Sequence, residues 1–182
     1  QAILFLRSEL NDISLGSDFV VAMAKHILRY GLQEAQRQLN SPHLPLVWKW
    51  HDKVYLGAAH GIVGILHTLL HLTPEEWTMV EHDIPNPRDR IHQTIDALSS
   101  HHCCYESGNL MSSMGSGSHH TDRLVHWCHG APGHVLLLMR ASKVFGNPQY
   151  LQQAERIAER VLWPRGIVKK GLGLCHGISG NA

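Results

Sequence analysis

Apolar positions recur at helical spacing along most of the chain, and alternating strand patterns are hard to find. Residues 18–39 read as a helix: Asp18 supplies a cap, and Val20, Val21, Ile27, Leu28 and Leu32 form an apolar stripe. Ser41, Pro42 and Pro45 break it, and residues 46–54 have loop character. Residues 62–72 form a strongly apolar helix, ended by Thr73-Pro74. Residues 85–88 read as a loop, and residues 88–100 are helical through Ile91, Ile95 and Leu98. Residues 131–145 are apolar again. Asn147-Pro148 then supplies a cap and a first-turn proline for an amphipathic helix over 150–163. That helix sets Leu151, Ala154, Ile157 and Val161 against a polar face of Gln152, Glu155, Arg156 and Glu159. Residues 101–123 are polar and glycine-containing. They predict a long loop insertion, which in a compact domain is either a functional surface loop or disordered.

Three phrases punctuate this pattern. Residues 59–64 read AHGIVG, residues 128–133 read CHGAPG and residues 175–180 read CHGISG. They start at positions 59, 128 and 175, so 69 and 47 residues apart. Between the last two lie an apolar helix, a loop and an amphipathic helix. That is the pattern of a repeat with a buried inner helix and a half-wet outer one. If such an array closes, it forms an α/α toroid with the three motifs on one rim. The glycines sit where a loop enters a crowded helix and allow close backbone approach.

The rest of the composition narrows the chemistry. The chain has 182 residues, 43% of them apolar, enough for a packed core. Sixteen basic residues balance fifteen acidic ones, with no basic run, which argues against nucleic acid as a partner. The longest apolar stretch, residues 19–24, is far too short to span a bilayer. The chain opens on Gln1 and stops just after a motif, so it reads as a segment incomplete at both ends. Its four cysteines do not form a secreted disulfide framework; a cytoplasmic protein with a metal or reactive thiol fits better. Histidine is the outlier at sixteen residues. His101-His102 and His119-His120 are expected as exposed loop residues, and Cys103-Cys104 as packing thiols.

Cys128 and Cys175 are different, because each precedes a histidine at a helix start, where thiolate is stabilised. Two thiolates and one imidazole would hold Zn²⁺ with a fourth position open, the arrangement of a catalytic site. Spacing alone leaves His60, His129 and His176 open as the third ligand. The first motif has alanine in place of cysteine, so His60 is expected to be free for acid/base work near neutral pH. Tyr55 is expected to pack, with hydrogen bonding to His60 as the alternative. Trp127 is expected to pack beside Cys128. Lys169-Lys170 is a solvated pair unless it lies on the motif rim, where one lysine can bind a carboxylate.

Residues 55–61 (YLGAAHG), 125–133 (VHWCHGAPG) and 169–180 (KKGLGLCHGISG), in this order, resemble the eukaryotic LanC-like proteins, relatives of the bacterial lanthionine synthetase C-type cyclases. The resemblance is strongest from residue 46 onward and weak before it, where only an apolar helix followed by an amphipathic one agrees. Ser107-Gly108-Asn109 also matches, within a loop that otherwise departs from the family. The resemblance implies an all-α fold, an α/α toroid, here partial and a single domain segment over residues 1–182. It implies one zinc held by Cys128, Cys175 and His176, with His60 as the acid/base histidine and Lys170 as a lysine that binds glutathione. The implied reaction is Michael-type addition of glutathione or a cysteine thiol to dehydroalanine or dehydrobutyrine in peptides or proteins. Glutathione and a dehydrated peptide or protein are thus the expected partners. The expected location is the cytoplasm, with peripheral association at the plasma membrane left open.

Two other readings compete. One is a zinc-containing glutathione- or peptide-binding module without turnover. The other is a glycan-processing toroid, which needs a pair of inward carboxylates that the motif rim does not supply. A purely structural zinc would need a fourth protein ligand, and His129 is the spare one nearby.

Overall fold

The computed structural model describes residues 2–37, 44–114 and 122–181. The fold is all-α: α1 (Ala2–Leu10), α2 (Ser17–Arg37), α3 (Ile62–Leu69), α4 (Pro74–Glu81), α5 (Pro87–Leu98), α6 (Ala131–Phe145) and α7 (Pro148–Ile157). α7 runs on through a π turn (Ala158–Leu162) and a short stretch (Trp163–Arg165), and a 3-10 turn (Ile178–Gly180) follows the last motif. No strand forms among the described residues, where extended segments meet only at isolated bridges.

Most predicted helices form close to their expected bounds. α2 begins at Ser17, with Asp18 in its first turn, and the expected end at residue 39 lies outside the described residues. So do the Ser41-Pro42 break and His119-His120. Asn147 Oδ1 accepts from the Gln149 N–H at 3.0 Å, and Pro148 opens α7 as expected. α3 ends three residues short of its predicted end. Leu72 N–H there bonds Leu69 at 3.1 Å, a tighter turn than the α-helix uses.

Thr73-Pro74 does more than stop α3, because it starts α4. Glu76 N–H donates to Thr73 Oγ1 at 3.2 Å, and Thr73 N–H donates to Glu76 Oε2 at 3.0 Å. This reciprocal cap satisfies two backbone donors that the helix itself leaves free.

Packing places the motifs. α6 lies against both α7 and α3, and α2 lies against α4. Ile62, Val63 and Leu66 from α3 join Leu137, Leu138 and Ala141 from α6 in one core. α3 has no fully exposed residue, as expected of an inner helix. α6 departs from that expectation: Leu136 is 44% exposed and Met139 42%, on a stripe that its neighbours do not cover. Arg140 Nε donates to the Leu70 carbonyl at 3.0 Å, placing a cation where the last α3 carbonyls carry partial negative charge.

The described part of the polar insertion, residues 101–114, is not structureless. Tyr105 N–H donates to Asn109 O at 2.9 Å, and Met111 N–H donates to Cys103 O at 2.8 Å. Leu56 N–H bonds Ser112 O at 3.0 Å and Met114 N–H bonds Val54 O at 2.9 Å, so this segment lies along the approach to the first motif. Cys103, Asn109 and Leu110 are buried. Their burial is the reason the segment is ordered despite its polar composition. Burial pushes the Cys103 and Cys104 thiols up, to about 11 and about 12, so both stay protonated packing groups.

One buried ion pair ties α1 to α4. Arg7 spans both oxygens of Glu76, at 2.6 and 3.2 Å, and Ser17 Oγ donates to the same carboxylate at 2.8 Å. Burial acts to raise the Glu76 carboxyl, but the bonds from Arg7, Thr73 and Ser17 outweigh it and hold it below its ordinary value. Its contribution to stability is therefore present above the unfolded-state value and lost as pH falls through the depressed one. Arg7→Ala should lower stability by about 3–5 kcal/mol at neutral pH, because it strands a buried charge. The difference from wild type should shrink on acidification; urea unfolding at pH 7 and pH 4 measures both.

Candidate metal centre

The second motif loop touches the other two, and Cys128 is the point of contact. Its N–H donates to the Cys175 carbonyl at 3.1 Å, and its carbonyl accepts from Ala59 N–H at 3.5 Å. Gly57 makes the approach possible: a Cβ there would collide with the Cys128 carbonyl oxygen. Gly130, at φ +122°, turns the chain directly into α6 in a conformation that a side chain resists.

The Sγ atoms of Cys128 and Cys175 and a ring nitrogen of His176 lie within 4.8 Å of one another. Cys128 is buried, while Cys175 and His176 are exposed, so the group has a protein side and an open side. Among the described residues this is the group of metal-capable side chains that converges; His60 and His129 fall outside it. The donor set fits Zn²⁺, whose tetrahedral shell places ligand atoms about 3.5–4 Å apart. Burial, then the Cys175 thiol beside it, pushes the Cys128 thiol up to about 11. A divalent cation reverses that preference by holding both sulfurs as thiolates.

His60 lies against the second motif loop. Its ring stacks on Trp50 at 4.6 Å and 17°, and lies 6.0 Å from the ring of His129, the residue after Cys128. Tyr55, half-buried, approaches His60 at 6.2 Å and His129 at 5.9 Å, ring to ring. Burial, with the His60 charge adding to it, holds His129 below the ordinary imidazole value. Lys170 is exposed on the loop that leads to Cys175. His126 sits 6.2 Å from His176, and its pKa is lowered by burial first and then by the Lys170, His176 and His129 charges. Lys170 and the third motif thus share one side of the molecule.

The framework behind the loop escapes the motif reading. Asn109 is fully buried and bonds three ways: its Nδ2 donates to Leu124 O at 3.0 Å and to Asp122 Oδ1 at 2.8 Å, and its Oδ1 accepts from Ala131 N–H at 2.8 Å. Arg165, at the end of the α7 extension, clamps both oxygens of Asp122 at 3.0 Å. Asn181 Nδ2 joins Val125 O to Gly166 O at 2.7 and 3.0 Å. Residues 122–131 are therefore tied to the insertion, to α7 and to the third motif. The visible signal for this was Ser107-Gly108-Asn109. His134, fully buried in α6 with neither ring nitrogen partnered, is driven by burial to about 4 and stays neutral.

Asn109→Ala should weaken metal binding by about 10–100-fold, the scale seen when supporting groups behind metal ligands are removed. Chelator competition measures it. Unchanged affinity in a folded variant would mean that the loop holds its position without Asn109.

Sequence comparison bears on this site. The chain matches the family described as "Lanthionine synthetase C-like protein" over residues 2–182, which extends the likeness through the N-terminal helices. It is 33% identical over 183 residues to the zebrafish (Danio rerio) protein named "Glutathione S-transferase LANCL1". That alignment covers 100% of this chain and 42% of the relative, so the chain spans less than half the relative's length. Its histidine-glycine loops, the helices they open and the match over nearly its whole length make this chain a member of the lanthionine synthetase C-like family.

Proposed function

We propose that this chain carries a zinc-dependent thiol-addition site. The observation that supports the reading is the convergence of Cys128, Cys175 and His176, with the His60 ring placed beside the Cys128 loop. The zebrafish relative's name, a glutathione S-transferase, favours glutathione as the thiol. Zinc held by these three residues would lower the pKa of a bound thiol, keeping it as thiolate at neutral pH.

The chain's own residues do the rest. Lys170, exposed beside the third motif, pairs with a glutathione carboxylate. The β-carbon of dehydroalanine or dehydrobutyrine gains the carbon–sulfur bond as the carbon–carbon π bond breaks. His60 delivers a proton to the α-carbon, and the proton lost from the thiol restores the balance, with no oxidation or reduction. Trp50 and Tyr55 fix the His60 ring for that transfer. Acceptor peptides or proteins reach the centre from the open side, where Cys175 and His176 are exposed. No helix among the described residues is long and apolar enough to cross a membrane.

Cys175→Ala should lose zinc and thioether formation together. His60→Ala should keep zinc and lose about 10²–10⁴-fold in turnover, the usual worth of a positioned acid or base. Mass spectrometry of a dehydroalanine peptide incubated with glutathione reads the product directly. Normal turnover in His60→Ala would remove it as the acid. Glutathione binding without adduct would leave a binding module.

A further inference from the structure

A cleft of about 580 Å³ opens directly beside His60, between α2 and α3. Ile27, Trp48 and Ile65 line it, with Tyr30 and Trp50 at its edges. Tyr30 is 39% exposed and Trp50 49%. Two large aromatic side chains are thus left in water at the walls of an apolar cleft, where each keeps surface that a ligand can cover.

The local chain builds this wall deliberately. Trp50 N–H bonds Lys53 O at 2.9 Å and Lys53 N–H bonds Trp50 O at 3.1 Å. His51 and Asp52 between them have φ of 48° and 59°. Positive φ at both central positions is the geometry of a tight type I′ hairpin turn. The turn holds Trp50 between His51, 4.4 Å away, and His60, 4.6 Å away, ring to ring. One face of the cleft is therefore also the support of His60. Lys49, at the rim, is drawn toward Glu34 at 3.5 Å, a carboxylate that Arg37 also bonds.

We infer that this cleft is the acceptor subsite: it takes the bulky apolar or aromatic side chain of a residue flanking the dehydrated one. The inference rests on the thiol-addition reading. If His60 protonates the acceptor's α-carbon, that carbon lies against the imidazole, and a neighbouring residue of the same peptide falls into the space His60 lines. An apolar side chain covers Trp50 and Tyr30 there. A carboxylate would give up its water against those ring faces, where an apolar side chain loses nothing.

The test uses the zinc-loaded full chain and two peptide series with Phe, Leu, Gly or Asp beside the central residue. In the unreactive series the central residue is alanine, and binding is measured by calorimetry. In the reactive series it is dehydroalanine, and kcat/KM with glutathione is measured. Phe and Leu peptides should bind and react about tenfold or more better than Gly and Asp peptides, the scale of filling an apolar pocket. Trp50→Ala and Tyr30→Ala, each checked for zinc content and helical fold, should flatten that ranking. Equal binding of Phe and Gly peptides overturns the subsite, as does a ranking that survives in both variants. Absence of adduct from every dehydroalanine peptide overturns the thiol-addition reading instead, while the binding series still decides the subsite.

Discussion

Cys128 has backbone on both sides of it. Its N–H reaches the Cys175 carbonyl, its carbonyl faces Ala59, and Gly57 leaves room that any side chain would fill. Once these three loops are in register, two thiols and an imidazole converge, and the His60 ring lies 6.0 Å from that of His129 on the second loop. The rest of the structure serves that register. α3 and α6 pack together with the motifs at their N-terminal ends, and Asn109, Asp122, Arg165 and Asn181 hold the approach to the second motif.

The site combines two environments that a single loop does not provide. Cys128 is buried and Cys175 is exposed, so one thiol anchors the group while the other side faces solvent. His60 is exposed but held by a flat stack on Trp50, which fixes its ring without removing it from water. The other cysteine pair makes the contrast plain. Cys103 and Cys104 are adjacent thiols kept protonated by burial, and among the described residues they join no group of three metal-capable side chains.

The helices with strong apolar periodicity, α2, α3, α5, α6 and α7, were legible because burial on one face writes itself into the sequence. α4 was not, since only Trp77 and Val80 mark its apolar side. Its actual signature was the cap, Thr73 with Glu76 three residues on. The ligand group was legible as a repeated phrase, but the choice of His176 over His129 came from family likeness, because spacing does not encode which loop faces which. The supports were hidden for a different reason. Asn109 and Asp122 look like ordinary loop residues, and only the fold brings Arg165, forty-three positions beyond Asp122, to meet them. Trp50 likewise acquires its role from a two-residue turn that His51 and Asp52 do not advertise.

Zinc-edge X-ray absorption on the metal-loaded chain tests the central claim most directly. The account predicts one zinc with two sulfur neighbours, one imidazole nitrogen and one exchangeable light-atom ligand that glutathione replaces with a third sulfur. A shell closed by a fourth protein ligand, unchanged by glutathione, would make the metal structural. A chain that binds no zinc at all would contradict the account outright.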